Sequence, residues 1–283
     1  MAKGNLLLGT AGNSVGDVVM YRREGAQVSR VRVRKIKNPK TDAQSLQRAA
    51  FSPVAKFYSP LAVVLERSFE GLSKMKSYNK FLKTNIDLAR VNGWLLPKGT
   101  GFFPLPYKLS QGTLPQVSYS MMTGLLPGFN IGDTQTSTIG GLSEAFVAAG
   151  YQNGDIVTII LVSIKGTIAA TGSFTPVAVQ FAIDTTSTQT VSAAFNGRIV
   201  ISAGPSGASF KVPSGSNCAA GAIIVARFEN DKWRRSTQDL AVDTGLMTSI
   251  EDADYKAAAV ASYGMNAGDP NPLVYLDGDT LEG

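Results

Sequence analysis

Residues 153–164 read NGDIVTIILVSI: a turn signal, then an apolar run from Ile156 to Ile164 interrupted only by Thr158 and Ser163. The run is far too short to cross a bilayer and reads as a buried strand. Residues 222–242, AIIVARFENDKWRRSTQDLAV, read as strand, turn at Glu229-Asn230-Asp231, strand. Working outward, strands are expected near 116–122, 155–164, 175–183, 189–195, 197–203, 208–212, 221–229 and 232–242, with a short helix near 142–149. Gly, Pro, Asn and Ser punctuate them at roughly the 8–12-residue interval of a β-sandwich. The expected fold class is therefore α+β: an N-terminal β-hairpin arm and a helical hairpin, followed by an immunoglobulin-like β-sandwich.

The front of the chain differs in character. Residues 5–36 read as β, with Gly9, Gly12, Gly16 and Gly25 as candidate turns or bulges. Val18–Arg23 and Gln27–Val33 flank Glu24-Gly25, a short Gly-containing loop of the kind that closes a hairpin. Side chains alternate along a strand, so Val31 and Val33 fall on one face and Arg30, Arg32 and Arg34 on the other. A lone two-stranded ribbon is marginal in water, so this arm is expected to dock on something. Asn38-Pro39 stops the strand, and Thr41-Asp42-Ala43-Gln44 fits a capping box. Leu46, Ala50, Val54, Phe57, Leu61, Val64 and Leu65 then follow helical spacing, with a kink or a break expected at Pro53 and Pro60. A second helix restarts at Gly71-Leu72-Ser73, carries Met75, Tyr78, Leu82, Ile86 and Ala89 as its apolar stripe, and ends at Gly93. Lys74, Lys76, Lys80 and Lys83 lie along it as a solvated face. The division expected is 1–40 basic arm, 41–93 helical hairpin, 94–113 Pro/Gly/aromatic linker packed over a surface, 114–249 β-sandwich, and 250–283 C-terminal helix with an acidic tail.

Composition narrows the function classes. The 283 residues contain no His and one Cys, Cys218. No intrachain disulfide or Cys-based zinc site is possible, and the commonest general base, metal ligand and pH switch is missing. No apolar segment long enough for a signal peptide core or a membrane span is visible, which points to a soluble chain kept in a cytoplasm. The net charge of +6 hides a polarity. Residues 1–100 carry 18 Lys and Arg against 6 Asp and Glu, and residues 101–283 carry 9 against 15. A basic front suits a polyanion, or it can meet the acidic back of a neighbouring copy.

Motifs for catalysis are missing. There is no Walker-type Gly-Lys-Ser/Thr and no Gly-x-Ser-x-Gly elbow, and Gly-rich GTAGNSVG (9–16) precedes a strand rather than a helix. The carboxylates of EDAD (251–254) read as a helix start within a helical 250–262, and Asp277 and Asp279 as a solvated tail. Arg234-Arg235 beside Trp233 reads as strand-edge charge, with base stacking as the alternative. No enzyme, cofactor or metal is expected. The sharpest constellation is Arg22, Arg23, Arg30, Arg32, Arg34, Lys35, Lys37 and Lys40, eight cations in 19 residues. They can contact phosphates, or carboxylates at a protein interface.

The string GDVVMYRREGAQVSR…KNPKTDAQSLQRAAF, residues 16–51, followed by a helical stretch and a β region with GDIVTII and WRRSTQDLAV, resembles an uncharacterised family of Bacteroidetes bacteria and their phages and prophages. The resemblance implies an assembly role, of the kind played by virion structural proteins such as those of crAss-like phages, and no catalytic residues. The expectation is a neck, tail or ring component of a phage virion, made in the host cytoplasm. Its partners are copies of itself, in a homo-oligomeric ring, and other virion proteins, with no membrane. The alternatives are a nucleic-acid-binding protein using the same hairpin and the Lys-bearing helix, and a bacterial surface or adhesion module.

Overall fold

The computed structural model describes residues 3–5, 10–15, 17–23, 26–32, 42–91, 104–117, 120–122, 125–129, 138–165, 173–204, 207–211 and 217–242. The chain divides into two compact units, Met1–Thr41 and Asp42–Gly283. It is a mixed α and β protein, richer in strands than helices, and every ladder between its named strands is antiparallel.

The first unit is a four-stranded meander of β1 (Lys3–Asn5), β2 (Thr10–Val15), β3 (Val18–Arg23) and β4 (Ala26–Val31), in that order. Glu24-Gly25 joins β3 to β4, and the ladder runs from Arg23↔Ala26 to Val18↔Val31. The expected ribbon therefore has two further strands beside it. None of the side chains described in this unit is buried, and the described side chains of β4 are exposed except for half-buried Val28.

The second unit opens with α1 (Asp42–Leu61) and α2 (Lys74–Val91), then β5 (Lys108–Ser110), β6 (Ser120–Met122), β7 (Leu125–Phe129) and α3 (Ile139–Ala148). It continues with β8 (Ile156–Lys165), β9 (Ser173–Ala182), α4 (Val191–Ala194), β10 (Val200–Gly204), β11 (Gly207–Lys211), β12 (Asn217–Glu229), β13 (Lys232–Arg235), β14 (Gln238–Asp239) and β15 (Ala241–Val242). The central sheet has the order β13-β12-β8-β9, and β15 also pairs with β12. A second sheet has the order β10-β11-β7-β6, and β14 pairs with β5.

The middles of β8 and β12 are almost entirely apolar because both faces of their sheet are buried there. Ile160 and Val162 pair with Ala222 and Ala220, and with Ile224 they join a cluster of Val54, Phe57, Leu61 and Phe81 from the helices and Tyr107 and Leu109 from around β5. Val157 and Ile159 pair with Val225 and Ile223, and point into a different cluster with Leu142, Phe146, Phe195 and Phe210. Phe210 lies on β11, so the second sheet shares that core. The small Ala220 and Ala222 sit on the same side as the aromatic group Phe57, Tyr58, Phe81 and Tyr107, whose ring centroids lie 5.0–6.3 Å apart. The helical hairpin, the 104–113 stretch and the sheet thus share one apolar layer. Tyr107 and Leu109 are fully buried rather than draped over a surface.

Several local expectations are corrected. α1 continues through Pro53 and Pro60 as one element. Pro53 removes one amide at a cost of about 3 kcal/mol, but the stripe Ala50, Val54, Phe57 and Leu61 is buried along its whole length, and each large side chain gained contributes about 1.5–3 kcal/mol. Thr41, of the expected capping box, and Gly93, of the expected second stop, lie outside the described residues. On α2, Met75 is 68% exposed, and Phe81 with the polar Asn85 takes the inner face instead. Asn85 Nδ2 donates to the Phe81 carbonyl (2.9 Å) and the Lys108 carbonyl (3.0 Å), while its Oδ1 accepts from Lys108 N (2.8 Å). That side chain serves β5 as a neighbouring strand would, which makes an amide tolerable in the core. The strand expected at 189–195 is the short helix α4, started by Thr190 accepting from Ala193 N at 3.4 Å. The strand expected at 232–242 is cut into three. Ser236 donates its amide to Val225 O, and its Oγ accepts from Val225 N, so the chain turns in against β12.

Candidate functional site

The cations singled out in the sequence fall partly on the first unit. Arg22 and Arg23 are the last residues of β3, Arg30 is on β4, and Arg32 follows directly after β4. Arg34, Lys35, Lys37 and Lys40 lie outside the described residues. Opposed residues share a face, so Val19 and Tyr21 accompany Ala26, Val28 and Arg30, while Val18 and Met20 accompany Val31. The Arg30 guanidinium lies 5.7 Å from the centroid of the Tyr21 ring, one strand across. Arg32 N donates to Asp17 O and closes the open end of the hairpin. Arg30 and Arg32 are exposed, as is Val31 (72%), and β4 is the last strand of its sheet.

Two further surfaces belong to the second unit. A broad open groove of about 800 Å³ runs between α1 and α2. Phe51, Ala55, Tyr78 and Ile86 give it apolar walls, and Arg48 and Lys56 add positive charge. Phe51 is 43% exposed, lying between two residues that point inward, Ala50 and Val54. The sequence held a signal for this groove: residues 44, 48, 51, 55 and 59 form a second stripe on α1 beside the core stripe. Lys74, Lys76, Lys80 and Lys83 are exposed on α2, with Lys74 paired to Glu66 at 3.2 Å.

The β12–β13 hairpin turns through Asn230 (φ 51°) and Asp231 (φ 58°), as its residues predicted. One face carries Phe228, 57% exposed, against Trp233 at 5.1 Å, and Arg235 sits 5.1 Å from the Trp233 ring. The other face carries Arg234 paired with Glu229 at 3.3 Å, and Arg227 bound to Asp155. Arg227 Nε and Nη2 donate to the two Asp155 oxygens at 2.8 and 2.7 Å, and Gln152 N donates to Asp155 Oδ2 at 2.9 Å. The Asp155 hydrogen bond raises the Arg227 guanidinium above its usual range. Burial and the neighbouring Arg67 lower that of Arg235, whose buried Nε has no hydrogen-bond partner among the described residues. β13 is the end strand of the central sheet, where charge discourages unwanted pairing.

The carboxylates at 251–254, Asp277 and Asp279 lie outside the described residues. Among the described residues, no group of three His, Cys, Asp or Glu side chains could hold a metal ion. Cys218 is buried, and its Sγ donates to the Ala220 carbonyl at 3.2 Å. No described helix is long and apolar enough to cross a membrane.

Residues 9–94 match a family described as of unknown function (DUF6266). The match covers a little under a third of the chain, taking in the meander from before β2 and the whole of α1 and α2. No curated protein and no solved structure matches the chain.

Proposed function

We propose that this protein is a non-enzymatic structural component of a phage or prophage particle, a neck, tail or ring element that assembles as a homo-oligomer through its basic N-terminal arm. The observation that carries this reading is the meander itself. Val31 is 72% exposed, Val18, Val19, Met20 and Val28 are only half-buried, and exposed Arg30 and Arg32 stand at the end strand. A sheet whose described side chains are apolar in part and none of them buried gains stability when something covers it. An open end strand beside guanidinium groups favours strand addition or contact with carboxylates on a neighbour. Head-to-tail contacts of that kind close into rings when the rotation permits. The resemblance of residues 16–51 to a family of Bacteroidetes and their phages and prophages supports the virion setting, with synthesis in the host cytoplasm. Under this reading the two sheets that meet around Phe210 form the immunoglobulin-like sandwich, and other virion proteins are the remaining partners.

Light scattering after gel filtration in moderate salt tests the proposal. The wild-type chain is expected to run as a discrete multimer free of nucleic acid. The triple variant Arg30→Glu, Arg32→Glu, Arg34→Glu is expected to run as a monomer with an unchanged circular dichroism spectrum. Normal assembly of that variant refutes the arm.

A second reading rests on the exposed lysines of α2 and the same arm: a nucleic-acid-binding protein. It predicts affinity that falls steeply as salt is raised from low to moderate levels. No binding at low salt removes it.

A further inference from the structure

The two arginines that end β13 have separate surroundings. Arg234 lies on the face of the β12–β13 hairpin where Glu229 pairs with it. Arg235 lies on the other face, opposite Ala226, and Trp233 lies there opposite Phe228. Ile224, two residues before Ala226, is buried among the helices, so this face is on the side of the helical hairpin. Arg235 is half-buried, with its guanidinium 5.1 Å from the Trp233 ring. Trp233 is in turn 5.1 Å from Phe228, which is 57% exposed.

The charge of Arg235 is left uncompensated by the described residues. Its buried Nε has no hydrogen-bond partner there, and none of the described ion pairs includes it. Glu70 accepts from the Arg235 main-chain amide at 3.4 Å, and its carboxylate is otherwise turned to Thr113 N and Oγ1, at 2.8 and 3.1 Å. Burial lowers the Arg235 pKa, and a second guanidinium, that of Arg67, is close enough to lower it further. Arg67 is exposed in the turn after α1 and holds φ 55°, a left-handed conformation that glycine takes without strain. Two like charges are thus brought together at a conformational cost, one of them partly withdrawn from water. An oxyanion held by both forks satisfies them. The exposed ring beside them decides what carries that anion. An acidic side chain leaves an aromatic face unused, whereas a nucleotide brings a phosphate and a base together, and any base stacks on an aromatic side chain.

We propose that Arg67, Arg235, Trp233 and Phe228 form a binding site for single-stranded nucleic acid, with a phosphate on the two guanidinium groups and a base on Phe228. The site belongs to the second unit and is independent of how the arm is used.

Tryptophan fluorescence of the full chain tests this. Trp94→Phe leaves Trp233 as the single tryptophan. Arg30→Glu, Arg32→Glu and Arg34→Glu in the same chain remove the attraction of the arm. A short oligothymidylate is expected to quench Trp233 at low salt, with an affinity that falls steeply as salt is raised. Phe228→Ala and Arg67→Ala are each expected to weaken binding about tenfold. Arg235→Met is expected to weaken it at least as much while the melting temperature stays equal or rises, because a partly desolvated charge is removed. Lost binding is then not lost folding. The proposal is overturned if the oligonucleotide does not quench at low salt, or if Phe228→Ala and Arg67→Ala bind as tightly as their parent. It is also overturned if inorganic phosphate quenches as well as the oligonucleotide, if a short polyglutamate displaces the oligonucleotide at equal charge, or if Arg235→Met melts lower than its parent. Light scattering on the wild-type chain reads the arm separately, so the two readings fail separately.

Discussion

Replacing Asp155 with Ala removes the acceptor for three hydrogen bonds, from Arg227 Nε, Arg227 Nη2 and Gln152 N. Asp155 is 2% exposed and Arg227 17%, so the variant strands a guanidinium that water reaches only in part. Breaking a buried pair on one side costs about 3–5 kcal/mol. The exposed part of Arg227 places this pair at the lower end, about 3 kcal/mol. Asp155 immediately precedes β8 and Arg227 sits on β12, so the loss falls on the strand pair that both cores share. The double variant Asp155→Ala, Arg227→Met removes the stranded charge along with its partner, and its cost is expected to be only about 1 kcal/mol. The coupling between the two positions is then about 2 kcal/mol or more. Urea unfolding followed by far-UV circular dichroism measures both. At a slope of about 3 kcal/mol/M the single variant shifts the midpoint down by roughly 1 M. A single variant within 0.5 M of wild type, or a double variant no better than the single, refutes the assignment of this pair as a stabilising tie.

Gly112→Ala is expected to cost about 2 kcal/mol or more by overpacking. A methyl there collides with the Arg235 carbonyl and stands 2.6 Å from the Glu70 carboxylate, which already accepts from Thr113 N; an unchanged melting temperature sinks this reading. Burial raises the Tyr151 phenol to about 12 and pushes that of Tyr107 higher still. A folded pKa above the unfolded value of about 10 means full stability below pH 10 and a loss as pH climbs toward 12. Tyr151→Phe should remove part of that alkaline loss, and it costs about 1 kcal/mol at neutral pH for the bond to the Pro115 carbonyl. Parallel alkaline titrations of variant and wild type would contradict it.

What the sequence revealed and what it hid follow from the range of the interactions. The runs 156–164 and 221–229 announced strands because burial on both faces leaves little room for polar residues. The Glu229-Asp231 turn was legible because turn chemistry is local. Pro53 was misleading because its cost is local while the compensating burial of Val54, Phe57 and Leu61 depends on a sheet more than 100 positions away. Asn85 drew no notice because its partner, Lys108 of β5, is 23 residues downstream. Of the candidate arm, the β3–β4 pairing was legible. Residues 5–36 also read as β, and β2 falls there, but the Gly-rich sequences of β1 and β2 carry too little apolar alternation to give their pairing. Phe51 was unremarked because one aromatic residue off the main stripe looks the same whether it faces solvent or a groove.

The central sheet has a consequence beyond packing. β8 and β12 are common walls of two apolar cores, so neither core can come apart while the other keeps its strands in place. The helical hairpin and the second sheet are thereby bound into one thermodynamic unit, and the amides in the middle of β8 and β12 become accessible only when residues 42–242 open together. A single residue inserted into β12 between Ala222 and Ile223 would exchange the faces of the side chains that follow it, sending Ile223 and Val225 toward the aromatic layer and Ile224 toward Phe146 and Phe210. Length within these two strands is thus held more tightly than any one side chain, whereas the loops that connect them are free to vary.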